Sequence, residues 1–145
     1  MPARATHRAP SVNPHRSLQP AGWLRPLGYS SGVEARGRHI FLAGQVGWNE
    51  RAVIEARDLV GQVRQALTNV ATLLAEAGAG PEHITRMTWY LVDKQDYLRR
   101  LPEIGQVYHE VIGCQFPPLT TVHVQSLMED HALVEIEVTA VAVDH

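Results

Sequence analysis

Two carboxylates and an imidazole stand on strand-like runs otherwise rich in β-branched residues. Glu135 and Glu137 interrupt Leu133-Val134-Glu135-Ile136-Glu137-Val138-Thr139-Ala140-Val141, and His123 lies in Phe116-Pro117-Pro118-Leu119-Thr120-Thr121-Val122-His123-Val124-Gln125. A carboxylate can orient and deprotonate water, and an imidazole exchanges a proton near neutral pH. The trio therefore has the makings of general acid–base chemistry. The residues have bland alternatives too. Glu135 could be a strand carboxylate paired across a subunit interface, and His123 an exposed or interface histidine.

The elements that must position these groups are legible as periodicities. Both runs alternate with period two, as half-buried strands do. Val134, Ile136, Val138, Ala140 and Ala142 form one apolar face, with Glu135, Glu137 and Thr139 opposite. In the earlier run Val122 and Val124 share a face, and Leu119, Thr121, His123 and Gln125 share the other. The connector 126–132 is short enough for a hairpin. Paired in that way, the two strands would gather His123, Glu135 and Glu137 on one polar face.

Upstream, Tyr29–Val33 and Arg38–Ala43 predict two short strands in a hairpin through 34–37. Gly44 follows, either as a bulge or to admit a ligand to the backbone. Apolar residues from Leu59 to Ala77 recur at helical spacing after Asp58, with Gly78 as a left-handed stop. Ile84–Leu91 predicts a strand with Trp89 and Tyr90 on opposite faces, and 93–96 a loop. A second amphipathic helix spans about 97–112, its regular part beginning near Pro102 after a separate turn. The order ββαβαββ predicts an α+β sandwich of one sheet and one helical layer.

A chain of 145 residues is one domain with a modest core. Residues 1–26 hold five prolines and read as an irregular tail before a single domain, 27–145. The tail's arginines suggest a transit peptide, but the prolines break any amphipathic helix, so an extension or an early start fits better. The first 33 residues carry four arginines and no acid, leaving nine basic residues against all 15 acids in the remainder, a balance of −6. So acidic a domain argues against a broad phosphate-binding surface, and no nucleic-acid partner is expected. No apolar run approaches a membrane span, so no membrane partner is expected, and the single cysteine permits no intrachain disulfide. Both fit a cytoplasmic protein.

Other chemistries lack their motifs. None of the eight histidines forms a metal-ligand spacing, and no metal is expected. Ser30-Ser31-Gly32 lacks the frame of a nucleophile elbow. Cys114 has no evident activating partner and reads as an ordinary free thiol.

The Phe-Pro-x-x-Thr-x-Val-x-Val…Val-Glu-Ile-Glu pattern, with Phe41-Leu42-Ala43-Gly44-Gln45-Val46 and Met87-Thr88-Trp89-Tyr90-Leu91-Val92-Asp93, resembles the Rid (reactive intermediate deaminase) family. The family is also called YjgF or endoribonuclease L-PSP-like. The resemblance covers roughly 28–143. It implies a chorismate-mutase-like fold, with one mixed sheet and two helices on one face. It also implies a homotrimer with a small-molecule cleft at each subunit interface, and no cofactor. In the deaminase branch an Arg grips the carboxylate of an imino acid, a Glu holds the hydrolytic water, and a Tyr and a Ser complete the pocket.

By that resemblance Tyr29, Gly44 and Glu135 match family positions. Ala43 stands where the family has Ser, Leu119 where it has Arg, and Thr121 where Cys is frequent. A guanidinium fork suits bidentate carboxylate recognition, whereas Leu offers no donor. Two expectations follow. One is a hydrolase or deaminase of an imine, enamine or other small neutral metabolite rather than of small α-imino acids, with Glu135 and His123 catalytic and Tyr29, Ala43, Gly44, Leu119 and Thr121 binding substrate. The other is a non-catalytic ligand-binding trimer. Ribonuclease activity fits poorly, because no basic, aromatic-lined groove is evident.

Overall fold

The structure is a computed structural model that describes residues 14–144. Its centre is a four-stranded mixed sheet in the order β3-β6-β4-β5. The strands are β3 (Arg38–Phe41), β4 (Ile84–Leu91), β5 (Leu119–His123) and β6 (Val134–Ala142). Helices α1 (Leu59–Glu76), α2 (Lys94–Arg99) and α3 (Leu101–Val111) complete the layer. The α+β class expected from the sequence is observed.

The core lies between β4, β6 and the helices. Val134, Ile136 and Val138 meet Val63, Leu67, Val70 and Leu74, all fully buried. Each such side chain contributes roughly 1.5–3 kcal/mol of burial. Asp58 caps α1 by accepting from the Gly61 N–H. Gly78, at φ +70°, ends it, with Ala79 N–H donating back to the Leu74 carbonyl at 2.8 Å. Arg64 on α1 and Glu110 on α3 pair at 2.6 Å. The hydrogen bond and charge of that guanidinium hold the Glu110 carboxyl below its usual range.

Two strand pairings differ from expectation. β5 and β6 do not form a hairpin. β4 lies between them, parallel to β5 and antiparallel to β6. The central place goes to the strand whose Met87, Trp89 and Leu91 are all buried, which needs a neighbour on each edge. The hairpin through 34–37 is also absent. β2 (Val33–Glu34) pairs instead with β1 (Arg16–Ser17), outside the main sheet.

The expected irregular tail divides accordingly. Residues 1–13 lie outside the described residues. Beyond them the chain is tied down at β1: Arg16 pairs with Glu34 at 2.9 Å, and His15 is buried against the His83 carbonyl at 3.0 Å. The loop expected at 93–96 is the start of α2, because the Asp93 side chain accepts from Asp96 N–H and caps a helical turn. Pro102 falls in the first turn of α3, where it costs no hydrogen bond.

Among the described residues no helix is long and apolar enough to cross a membrane, and no three metal-ligating side chains converge.

Candidate functional site

The candidate residues fall on the two sides of the sheet. Register sets this. In β5, Leu119, Thr121 and His123 stand beside Met87, Trp89 and Leu91, on the helix side. In β6, Glu135 and Glu137 stand beside Tyr90 and Thr88, on the side that no helix covers. His123 and Glu135 therefore do not share a face, and β4 separates their strands by roughly 10 Å.

On the helix side a cleft of about 550 Å³ opens between α3 and the β4–β5 edge. Tyr29, Leu119 and Thr121, three of the residues singled out in the sequence, line it together. Gly28, at φ +78°, turns the chain into Tyr29. The next residue is pinned to the strand: Ser30 Oγ donates to the Phe116 carbonyl at 2.5 Å, and Ser30 N–H to the Pro117 carbonyl at 3.3 Å. That anchor holds Tyr29 at the rim.

The remaining walls come from elements the sequence reading did not connect with a site. Trp89 and Tyr97 meet edge to face at 6.4 Å, and Tyr108 stacks on Phe116 at 6.4 Å. Tyr108 Oη donates to the Gln115 carbonyl at 2.6 Å. Burial pushes the phenols of Tyr97 and Tyr108 above their ordinary value, so both stay neutral. Among the described residues no Lys, Arg, Asp or Glu lines the cleft. Gly105 in mid-α3 was the one sequence signal available, since glycine inside an amphipathic helix asks for a reason.

His123 occupies a smaller neighbouring cavity of about 280 Å³ with Lys94, sharing Tyr97 and Thr121 with the cleft. Its Nε2 lies 3.3 Å from the Val92 carbonyl. A carbonyl only accepts, so Nε2 carries the proton and donates.

On the other side, β3 continues into a bulge beside β6. Phe41 pairs with Thr139 and Gln45 with Ile136, so one extra residue is accommodated between them. The bulge brings Gly44 against Glu135. A Cβ on Gly44 would stand 2.9 Å from the Glu135 carboxyl carbon and 3.0 Å from its Cγ. Ala43, exposed, accepts from Gln45 Nε2 at 3.0 Å through its carbonyl. Among the described residues no cation lies within ion-pair distance of Glu135 or Glu137. Both carboxylates are left to interact with whatever covers this face.

Residues 24–142 match the family model for endoribonuclease L-PSP. A RutC family protein of Pyrococcus horikoshii is 33% identical over 118 residues, 80% of this chain and 89% of the relative. A 2-iminobutanoate/2-iminopropanoate deaminase of Dermatophagoides farinae is 28% identical over 128 residues, 87% of this chain and 95% of the relative. Among solved structures, a protein of unknown function of the Rid family from Yersinia pestis superposes with a TM-score of 0.78 at 32% identity, covering 88% of this chain and 98% of that one. The sheet-and-helix layer described above is the chorismate-mutase-like fold of these neighbours. With the family model spanning nearly all of the described chain, this protein belongs to the endoribonuclease L-PSP family, the Rid or YjgF proteins.

Proposed function

We propose that the chain is a cofactor-independent hydrolase of a small neutral imine or enamine, working as a homotrimer whose clefts are completed between subunits. The observation that carries this reading is Leu119 in the wall of a cleft that, among the described residues, no charged side chain lines. A carboxylate brought there loses hydration worth several kcal/mol with nothing to replace it. Within one chain the arginines that could have substituted lie away from this cleft: Arg36 and Arg38 line a separate cavity, and Arg86 is exposed on the open side of the sheet that also carries Glu135. The deaminase named for the mite relative supports the reaction class, and the residues here support a different substrate charge.

In the proposed reaction a water held by Glu135 of one copy attacks the imine carbon of a ligand in the cleft of the next. The carboxylate takes one water proton and passes it to the imine nitrogen, giving the neutral carbinolamine; it then takes the carbinolamine hydroxyl proton and delivers it to the amine nitrogen as the C=O bond forms and the C–N bond breaks. Ammonia and a carbonyl compound leave, so imine plus water balances. Thr121 and Tyr29 offer hydroxyls to the reacting nitrogen, and His123 is a second proton carrier from the adjoining cavity.

Separation of Glu135 from the cleft within one chain also suits the alternative, a ligand-binding trimer without catalysis. Subunit mixing decides between them. An amine oxidase generates cyclohexanimine from cyclohexylamine, and semicarbazide traps what remains. Glu135→Gln and Thr121→Trp should each be inactive as homo-oligomers, and a co-assembled mixture should recover activity, because some clefts pair an intact Glu135 with an intact wall. No activity in the wild type would leave the binding reading.

A further inference from the structure

We propose that the ligand of the α3 cleft is an uncharged aromatic compound, a single ring conjugated to the reacting imine or carbonyl group, seated on a floor that Gly105 leaves open. The inference rests on the proposed function for the reaction but not for the binding.

The composition of the walls is the first observation. Five of the chain's nine aromatic residues line this one cleft: Tyr29, Trp89, Tyr97, Tyr108 and Phe116. Two of them, Tyr29 and Phe116, are partly exposed at the rim of one chain, where a ligand can reach their faces. Rings prefer offset or edge-on rings as partners over aliphatic groups of equal area. A flat conjugated ligand therefore gains more here than an aliphatic one of the same size.

The second observation is Gly105. Glycine inside a helix is unfavourable relative to nearly every other residue. Its usual excuse is a close approach or a left-handed backbone, and Gly105 has neither. A Cβ built on it meets nothing within 4 Å. The chain's own packing does not ask for glycine at this position, and the cleft it lines does. A side chain here would project into the space that a ligand occupies.

The third observation is polar. Trp89 is 3% exposed and its indole N–H has no acceptor within hydrogen-bond distance. That N–H is shielded within the wall, while the ring of Trp89 borders the cleft and reports on what enters it. With every lining side chain of one chain neutral, and Glu135 of the next copy the one charge proposed beside the cleft, an anionic ligand finds no partner there.

Acetophenone is a suitable probe, with benzoate as its charged counterpart and cyclohexanone as its non-aromatic one. The readout is the Trp89 indole N–H resonance in ¹⁵N spectra of the intact protein, distinguished from those of Trp23 and Trp48 by Trp→Phe variants. Acetophenone should shift the Trp89 signal saturably. Benzoate and cyclohexanone should bind at least tenfold more weakly. Gly105→Leu should weaken acetophenone at least tenfold while its Tm stays at or above that of the wild type. Gly105→Ala, which adds only a methyl, should give a smaller loss and serves if the Leu variant does not fold. Benzoate or cyclohexanone matching acetophenone, or a folded Gly105→Leu binding it unchanged, would overturn the proposal. The two readings fail separately. Acetophenone binding without hydrolysis of any imine keeps the ligand class and removes the hydrolase. Cyclohexanimine hydrolysed by a wild type that binds acetophenone no better than cyclohexanone keeps the hydrolase and removes the aromatic ligand.

Discussion

Glu135 lies across Gly44 so closely that a Cβ there would stand 2.9 Å from its carboxyl carbon. The contact is made by the bulge between β3 and β6, and it fixes where the carboxylate can point. Gly44→Ala should therefore move the Glu135 side chain without undoing the sheet. Because the obstacle is the end of a flexible side chain, we expect a stability change of about 1 kcal/mol in urea unfolding. Imine hydrolysis should fall by at least tenfold. Unchanged activity in Gly44→Ala would show that this placement of Glu135 is not used.

Gln62 should be among the most sensitive polar positions in the chain. It is fully buried in α1. Its Nε2 donates to the Ala56 carbonyl at 3.1 Å and the His131 carbonyl at 2.9 Å, and its Oε1 accepts from Leu133 N–H at 2.7 Å. It thereby ties the connector before β6 to the helix. Gln62→Leu keeps the volume but strands three backbone groups, a loss of roughly 3 kcal/mol at about 1 kcal/mol each. Chemical denaturation showing less than a third of that would contradict the assignment.

His15 should matter to stability despite its place in a proline-rich segment. Burial of the ring and its bond to the His83 carbonyl hold β1 against the body. His15→Ala should lower the unfolding free energy by about 1–2 kcal/mol, measured by urea titration.

Alkaline unfolding should be governed partly by Tyr108. Its phenol is raised by burial above the ordinary 10.0, as is that of Tyr97. Below about pH 10 both are protonated in the folded and unfolded chain and cost nothing. Above it the unfolded chain gives up its protons first, so stability falls as pH rises toward the folded values. Tyr108→Phe removes one such group. Its Tm should decline more shallowly than that of the wild type above pH ~10. Parallel declines would count against a buried, neutral Tyr108.

The sequence made single elements legible and left their neighbours obscure. Period two gave β6 its buried and open faces, and helical spacing between Asp58 and Gly78 gave α1 nearly to the residue. Those signals are local. That β4 would insert between β5 and β6 was not legible, because a short connector is compatible with a hairpin and with a crossing over one strand. The same gap misplaced His123 beside Glu135. Tyr29, Leu119 and Thr121 were identified one by one and do line one cleft. Trp89, Tyr97, Gly105 and Tyr108 were not foreseen there, since a strand, a short helix and α3 contribute them separately and each has an ordinary packing role.

Leu119→Arg tests charge selection in the cleft. A guanidinium at that wall supplies the charge-assisted bonds that the native lining lacks. The variant should bind benzoate at least tenfold more tightly than the wild type does, by titration calorimetry. No gain in a folded variant would show that Leu119 does not set the charge preference.

The central claim is that this family member hydrolyses neutral imines and not the α-imino acids named for the mite enzyme. It is tested most directly by following 2-iminobutanoate and cyclohexanimine, each generated in situ, with and without the protein under identical conditions. We predict acceleration of cyclohexanimine decay, lost in Glu135→Gln. The 2-iminobutanoate rate should lie roughly one and a half to nearly four orders of magnitude lower, the cost of about 2–5 kcal/mol expected when a charged partner is missing. Acceleration of 2-iminobutanoate equal to or above that of cyclohexanimine would contradict the account.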